Sequence, residues 1–182
     1  DLQGTISGTF RGNFAEGRGG AVNVARGITG AVTGAVFDGN YTTGDFGWGG
    51  ALFAGAGAFS EGISGAISNS KFTNNYTLGS GASGGAIYAD SGGIRGGISN
   101  SEFTNNYTSG SGASGGAIFA RSGGNSSGIG IRGGISNSYF SANSSRGGDG
   151  GAVHTDGLSG GITNTSTFAE NTATGSGGAV MV

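Results

Sequence analysis

The sequence contains no cysteine and no proline, and only 10% of its residues are charged. Without cysteine the chain has no disulfide framework, although this absence does not by itself locate the compartment. The 8 basic and 10 acidic residues give a formal net charge of −2, which leaves no electrostatic footprint for nucleic acid or an anionic membrane. No apolar run approaches the length of a membrane span. We therefore expect neither nucleic-acid binding nor membrane insertion.

Glycine is the residue that the chain has in excess, with 46 among 182 residues, while 34% of the residues are hydrophobic. On composition alone such a chain could be a disordered linker. It could equally be a solenoid, because each repeat of a solenoid needs few apolar residues when its neighbours complete the core. The order of the apolar residues favours the solenoid, since a linker has no reason to place them at fixed positions.

Two short motifs alternate along the whole chain, six copies of each. The first is Phe-x-x-Asn, and successive Phe residues lie 27, 35, 31, 37 and 28 positions apart. Its copies are Phe10/Asn13, Phe37/Asn40, Phe72/Asn75, Phe103/Asn106, Phe140/Asn143 and Phe168/Asn171. The second is Gly-Gly-Ala followed by an aliphatic residue, and these copies begin at Gly19, Gly49, Gly84, Gly115, Gly150 and Gly177. The varying lengths fall in Gly/Ser-rich stretches, which is typical of loops on one face of a repeat.

Each repeat predicts two or three short strands and no helix. An aliphatic residue precedes the Phe by five positions in four repeats, by four in the first and by six in the last. The segments between them alternate apolar and polar residues and are flanked by glycine, as in strands. We therefore predict an all-β fold, a single parallel β-helix domain over residues 1–182, with about six coils and no evident caps.

Stacked coils would place equivalent residues of the two motifs on top of one another. We expect a structural ladder of the six Phe rings and another of the six Asn side chains listed above. The Asn amide at the bend could bond either the backbone of its own turn or the Asn of the next coil.

These paired motifs, Gly-Gly-Ala-aliphatic and Phe-x-x-Asn, resemble the repeats of the chlamydial polymorphic outer membrane proteins and related autotransporter passengers. The resemblance extends from Phe10 to Val182, and twelve motifs in strict alternation are far more specific than any one of them. It implies a right-handed parallel β-helix, exposure at the cell surface and a role in adhesion.

The sequence gives little support to catalysis. Polysaccharide-acting enzymes on β-helices need carboxylates gathered in a cleft, whereas the carboxylates here are scattered. The densest polar cluster is Asp149, His154 and Asp156, and we interpret His154 as a surface residue at a variable position. We expect no catalytic residue, no metal and no cofactor, and an enzyme is only a distant alternative.

The strand after each Gly-Gly-Ala predicts an outward row of side chains. Its aliphatic residue should point inward, so the next residue should face the other way. This row includes Phe53, Tyr88 and Phe119. If these rings face solvent, they form an apolar patch suited to a lateral contact between filaments or to stacking on glycans. If the strand is rotated, they belong to the core.

The first and last repeats carry no predicted cap, and joining the end of one copy to the start of another nearly reproduces the internal spacing. Gly177 to the Ile6 of a following copy would be 11 residues, against 12 from Gly150 to Ile162. We therefore expect the chain to be the structural subunit of an extracellular or cell-surface filament. Its copies would form a homopolymer by head-to-tail assembly after removal of a signal peptide. A fragment of a larger adhesin that binds surface glycans is the alternative. The predicted junction residues are Leu2, Ile6, Phe10, Phe168, Val180 and Val182.

Overall fold

A computed structural model describes residues 1–55, 61–123 and 128–182. Within these ranges the chain contains strands, bridges and turns but no helix. All strand pairs are parallel. The fold is a parallel β-solenoid of six coils, which confirms the predicted fold class.

Each coil contributes strands in the same order. The first three coils contain β1 (Ile6–Arg11), β2 (Phe14–Ala15) and β3 (Val22–Val24); β4 (Val32–Asp38), β5 (Tyr41–Thr42) and β6 (Leu52–Ala54); β7 (Ile67–Ser68), β8 (Lys71–Thr73), β9 (Tyr76–Thr77) and β10 (Ile87–Ala89). The last three contain β11 (Ile98–Ser99), β12 (Glu102–Thr104), β13 (Tyr107–Thr108) and β14 (Ile118–Ala120); β15 (Ile135–Ser136), β16 (Tyr139–Ser141), β17 (Ser144–Ser145) and β18 (Val153–Thr155); β19 (Ile162–Thr163), β20 (Thr167–Ala169), β21 (Thr172–Ala173) and β22 (Val180–Met181).

Three parallel sheets run along the solenoid. The Phe sheet contains the long strands β1 and β4 of the first two coils and, in each later coil, two short strands at the same place: β7 and β8, β11 and β12, β15 and β16, β19 and β20. This sheet carries the phenylalanines of Phe-x-x-Asn. The Tyr sheet has the order β2-β5-β9-β13-β17-β21, and the GGA sheet, whose strands follow Gly-Gly-Ala, has the order β22-β18-β14-β10-β6-β3. Equivalent residues pair in register, for example Phe72 with Phe103 and Ile87 with Ile118. In-register stacking is what turns a sequence motif into a column of like side chains.

The corners of the coil rely on residues in the left-handed region of backbone conformation. Asn100 and Asn105, on either side of β12, have φ of 48° and 56°. Asparagine tolerates this region better than other residues with a Cβ. Equivalent positions in the first two coils are glycines, such as Gly34 and Gly39. The chain can therefore turn sharply between strands of only two or three residues.

The Gly-Gly-Ala motif has a steric explanation. In the fourth coil Gly115 has a φ of 69°, and a Cβ there would collide with the carbonyl of Ile118. Gly116 lies where a Cβ would collide with the backbone of Gly151 and Ser144 in the next coil. The first glycine is thus required by the turn and the second by close approach between coils.

The core is a column of aliphatic and aromatic side chains enclosed by the three sheets. It includes the buried aliphatics of the Phe and GGA sheets, such as Ile98 and Ile118. A further row of isolated parallel bridges adds Leu2, Ile28, Ile63, Ile94, Ile131 and Leu158. The sequence analysis missed this row except for Leu2. Each member nevertheless lies four positions before the aliphatic residue that precedes the Phe of its coil, as Ile94 does before Ile98.

Candidate functional site

The six Phe rings form the continuous stack that the sequence predicts. Neighbouring ring centroids lie 4.6–4.8 Å apart, with interplanar angles of 0–8°. Phe37, Phe72, Phe103 and Phe140 are completely buried. Their role is structural, because no ligand can reach a ring enclosed in this way.

The Asn side chains form a second ladder, and the structure decides between the two alternatives left open by the sequence. Asn106 Oδ1 accepts hydrogen bonds from the backbone N–H and the Nδ2 of Asn75, both at 3.0 Å. Its Nδ2 donates to the carbonyl of Phe72 at 2.9 Å and to Asn143 Oδ1 at 3.0 Å. The amides therefore bond neighbouring coils, and each buried Asn uses its full hydrogen-bonding capacity.

Asn40, in the second coil, is the first fully buried Asn of the ladder and is bonded in the same way. Asn40 is 0% exposed, and its Oδ1 accepts from the Nδ2 of Asn13 at 2.8 Å. Its own Nδ2 donates to the carbonyl of Phe10 at 2.9 Å and to Asn75 Oδ1 at 3.0 Å. Asn40 is therefore a structural residue that no external molecule can reach.

The six Asn side chains are not equivalent, whereas the sequence treated them as one uniform ladder. Asn171 in the last coil is only half-buried and Asn13 in the first coil is exposed. Asn171 Oδ1 accepts from Asn143 Nδ2 at 2.9 Å, and its Nδ2 donates to the carbonyl of Phe140 at 2.9 Å. No described coil follows Asn171, so its amide lacks the onward bond to another Asn that Asn40 makes. The uniform ladder is thus corrected to a buried interior with two partly open ends.

The expected solvent-exposed row on the GGA sheet is wrong for two of its three aromatic members. Phe53 is 0% exposed and Tyr88 is 2% exposed, whereas Phe119 is half-buried. The rings stack from coil to coil, with Phe53 and Tyr88 5.5 Å apart and Tyr88 and Phe119 5.1 Å apart. Phe53 and Tyr88 do not join the central core cluster, so they lie outside the core and are covered from the other side.

Trp48 provides much of that cover. Its ring stacks on Tyr88 at 5.0 Å and on Phe53 at 6.2 Å, and its Nε1 donates to the carbonyl of Gly81 at 2.8 Å. The guanidinium of Arg18 lies 4.5 Å from the Trp48 ring centroid. Burial raises the pKa of the Tyr88 hydroxyl, against an opposing hydrogen bond from Arg121. A single tryptophan in a loop carries no repeat pattern, which is why the sequence did not indicate a cover.

His154 continues this outward row beyond Phe119. Its ring stacks on Phe119 at 4.8 Å, and its Nδ1 is buried without a hydrogen-bond partner. Burial lowers the pKa of His154, although Asp149 and Asp156 act in the opposite direction. The interpretation of His154 as a simple surface residue is therefore incomplete, because its ring is part of an aromatic stack.

The most exposed aromatic row lies on the Tyr sheet, and the sequence analysis missed it. Phe14, Tyr41, Tyr76 and Tyr107 stack at centroid distances of 5.0, 4.8 and 4.9 Å. Phe14 is 51% exposed, and the three tyrosines are partly exposed. The residue directly after the Asn of Phe-x-x-Asn is aromatic in the first four repeats and becomes Ser144 and Thr172 in the last two. The strands that carry the four aromatic residues pair in register, so their rings form one row. It is the best candidate for a surface that contacts other molecules.

A cleft of about 370 Å³ adjoins the last rings of this row. Its lining residues are Asn74, Tyr76, Asn105, Tyr107, Ala142, Ser144 and Arg146. The Arg146 guanidinium lies 4.7 Å from the centroid of the Tyr107 ring. The cleft thus combines aromatic, amide, hydroxyl and cationic groups on one face of the solenoid.

The predicted junction residues lie in the two end coils. Leu2, Phe10, Phe168 and Val180 are partly buried against the core, Ile6 is buried, and Val182 is 63% exposed. Phe10 and Phe168 each stack on one ring only among the described residues. The structure brings these residues to opposite ends of the core column, and their contact with another copy stays a prediction.

Other kinds of site are not evident in residues 1–55, 61–123 and 128–182. No group of three metal-ligating side chains is placed there to hold a metal ion. These ranges also contain no helix long and apolar enough to cross a membrane.

The fold and its ladders define a class, the parallel β-solenoids built from Phe-x-x-Asn and Gly-Gly-Ala-aliphatic repeats. Residues 165–182 match the family model of the Chlamydia polymorphic membrane protein repeat, so the chain carries repeats of the kind that its motifs resemble. The match covers 18 of the 182 residues. No curated protein and no solved structure matches the chain.

Proposed function

We propose that the chain is a non-catalytic structural subunit of an extracellular, cell-surface filament whose solenoids stack head to tail. The observation that carries this proposal is the complementarity of the two end coils. Every described coil presents the same residue types at the Phe, Asn and Gly-Gly-Ala positions, so at these positions the outer side of the last coil matches the outer side of the first. Phe168 of one copy would continue onto Phe10 of the next as Phe103 continues onto Phe140.

The exposure of the end coils supports this contact. Ile162 in the last coil is 42% exposed, whereas the equivalent Ile98 and Ile135 inside the solenoid are buried. Fully burying an aliphatic or aromatic side chain contributes about 1.5–3 kcal/mol. Backbone groups on the outer sides of β19–β22 would also gain ladder partners. A further coil placed on either end therefore satisfies both apolar and polar groups.

Electron microscopy of the purified protein tests the proposal. Stacked copies should form fibres with an axial repeat near 29 Å, because each of six coils advances about 4.8 Å. The same samples should show concentration-dependent growth in light scattering. Monodisperse short rods at all concentrations would contradict head-to-tail stacking.

A second candidate function is a binding module of a larger surface adhesin, and the exposed row of Phe14, Tyr41, Tyr76 and Tyr107 favours it. Surface aromatic rows of this kind are uncommon unless they contact a partner. Surface glycans and the sides of neighbouring filaments are the partners that we propose for this row. A glycan array probed with the intact protein tests the first of them.

A further inference from the structure

The aromatic row of the Tyr sheet ends at an unusual step. Tyr107 stacks on Tyr76 on one side, but its partner in the next coil is Ser144 rather than another ring. The second face of the Tyr107 ring is covered by the guanidinium of Arg146 instead of an aromatic side chain. Tyr107 and Arg146 both line the cleft of about 370 Å³, which lies within the usual range of small-ligand sites, about 300–1,000 Å³.

Arg146 lies where the next ring would be. Its guanidinium is 4.7 Å from the Tyr107 centroid, and the side chain is exposed. The three ion pairs found among the described residues involve Arg11, Lys71 and Arg121, not Arg146. An arginine held against a ring without a carboxylate partner is well placed to pair with an anionic group of a ligand, which its planar fork can bind through two hydrogen bonds.

Two amide side chains, those of Asn74 and Asn105, also line the cleft. Asn74 and Asn105 both adopt left-handed backbone conformations, with φ of 57° and 56°, so the turn fixes where their side chains begin. Asn74 Nδ2 donates to Asp38 Oδ1 at 3.2 Å, while the exposed Asn105 side chain forms no hydrogen bond within the described part of the chain. Ser144 adds a hydroxyl that accepts from Thr172 Oγ1 at 3.1 Å. These groups suit a ligand rich in hydroxyls.

Two acidic residues lie near the cleft: Asp38, which accepts a hydrogen bond from Asn74, and Glu170. Glu170 occupies the station of Asn74, Asn105 and Ala142 one coil further on, and it is exposed. Its carboxylate is not among the partners of Arg146 within 4.0 Å. Because the Arg146 guanidinium lies over the Tyr107 ring, an anionic ligand group should bind its N–H edge, away from Glu170.

We propose that this cleft binds an acidic saccharide, with the carboxylate of a uronic acid paired to Arg146. The sugar ring would contact the edges of the Tyr76 and Tyr107 rings that line the cleft, and Asn105 and Ser144 would bond its hydroxyls. The aromatic surface and the amides distinguish this ligand from a simple anion, and Arg146 distinguishes it from a neutral sugar. The site gives the second candidate function a ligand class, and it does not depend on head-to-tail stacking.

Isothermal titration of the purified protein with tetragalacturonate tests the proposal. We expect saturable binding that is at least about tenfold weaker for neutral cellotetraose, because a charge-assisted bidentate pair is lost. Arg146→Gln should weaken uronate binding by about tenfold or more. The affinity of Arg146→Lys should lie between those of the parent and Arg146→Gln, because lysine keeps the charge but not the planar fork of the guanidinium. Arg26→Gln removes an exposed arginine that follows β3 and does not line the cleft, so it is the matched control and should bind as the parent does.

The outcomes separate this inference from the two candidate functions. Equal binding by the parent and Arg146→Gln would overturn it, as would no saturable binding at millimolar tetragalacturonate. Stronger binding of polyglutamate than of tetragalacturonate would also overturn it, in favour of an acidic peptide. Thermal melts of each variant establish that the solenoid is folded. Electron microscopy of the same samples tests filament formation independently. If the protein bound other glycans on the array but not tetragalacturonate, the adhesin function would be supported and this site would be overturned.

Discussion

The ring of Phe72 lies parallel to the ring of Phe103, with centroids 4.8 Å apart and an interplanar angle of 0°. Both residues are fully buried, and the strands that carry them pair in register. The pair shows how the solenoid is stabilised: one residue type at one station, repeated coil after coil. Offset aromatic pairs contribute about 0.5–1.5 kcal/mol beyond their burial.

Replacing Phe103 with Ala should lower the free energy of unfolding by about 3–5 kcal/mol, because it empties a buried aromatic site in the middle of the stack. Urea titration followed by circular dichroism measures this loss. Phe14→Ala is the matched control, since Phe14 is exposed, and it should cost less than about 1 kcal/mol. A loss below about 1 kcal/mol for Phe103→Ala would contradict the buried stack.

Asn106→Ala should destabilise the solenoid by about 3 kcal/mol or more. The change leaves the backbone N–H of Asn75 and the carbonyl of Phe72 without these partners, and each buried unpaired group costs about 1–3 kcal/mol. Asn13→Ala, in the exposed first coil, provides the comparison and should cost less than about 1 kcal/mol. Similar losses for both variants would show that the ladder does not contribute as argued.

Tyr88→Ser should destabilise the protein, whereas Phe119→Ser should do so much less. Tyr88 is buried beneath Trp48, so its loss opens a cavity under the tryptophan. Phe119 is only half-buried. We expect a loss of about 2–4 kcal/mol for Tyr88→Ser in denaturant titration. Trp48 fluorescence reports the exposure of the cavity, and an unchanged spectrum with parental stability would place Tyr88 outside the cover.

Stability should fall as the pH drops below about 6.5, partly because of His154. Burial lowers the pKa of this histidine in the folded state from its ordinary 6.5. The unfolded chain therefore binds a proton more readily, so the contribution is present above the unfolded pKa and is lost as the pH falls toward the folded pKa. Melting temperatures of the parent and His154→Phe between about pH 8 and about pH 5.5 measure it. The variant should show a smaller decline, and an identical decline would exclude this contribution.

Val180→Lys should abolish long fibres while leaving a folded rod. In a head-to-tail contact Val180 would pack against Val22 of the next copy, and a lysine there would bury an unpaired charge. Met181→Lys is the control, because its side chain alternates to the outer side of β22, and its fibres should persist. Electron microscopy compares the two. Fibres of parental length from Val180→Lys would rule out the proposed junction.

The sequence predicted the coils and their ladders well, because a motif repeated at one station per coil becomes a column whenever coils stack in register. It did not distinguish the buried Asn40 from the half-buried Asn171, since the same motif stands in an interior coil and in an end coil. The row from Leu2 to Leu158 has a constant spacing of four from the next aliphatic residue, but its Gly-rich surroundings hid it. The Tyr row was missed because its residue type changes to Ser144 and Thr172 in the last two coils.

The amino-acid sequence by itself determined the repeat, the parallel solenoid and the residues that stack inside it, since local glycine turns and periodic apolar residues leave few other arrangements. Only the tertiary structure decided which outward side chains are covered and which remain accessible. Trp48 closes over Phe53 and Tyr88 from a loop, and Arg146 reaches back over Tyr107 from the neighbouring coil. Such contacts depend on where loops of varying length bring single, unrepeated residues, and the repeat does not encode that information.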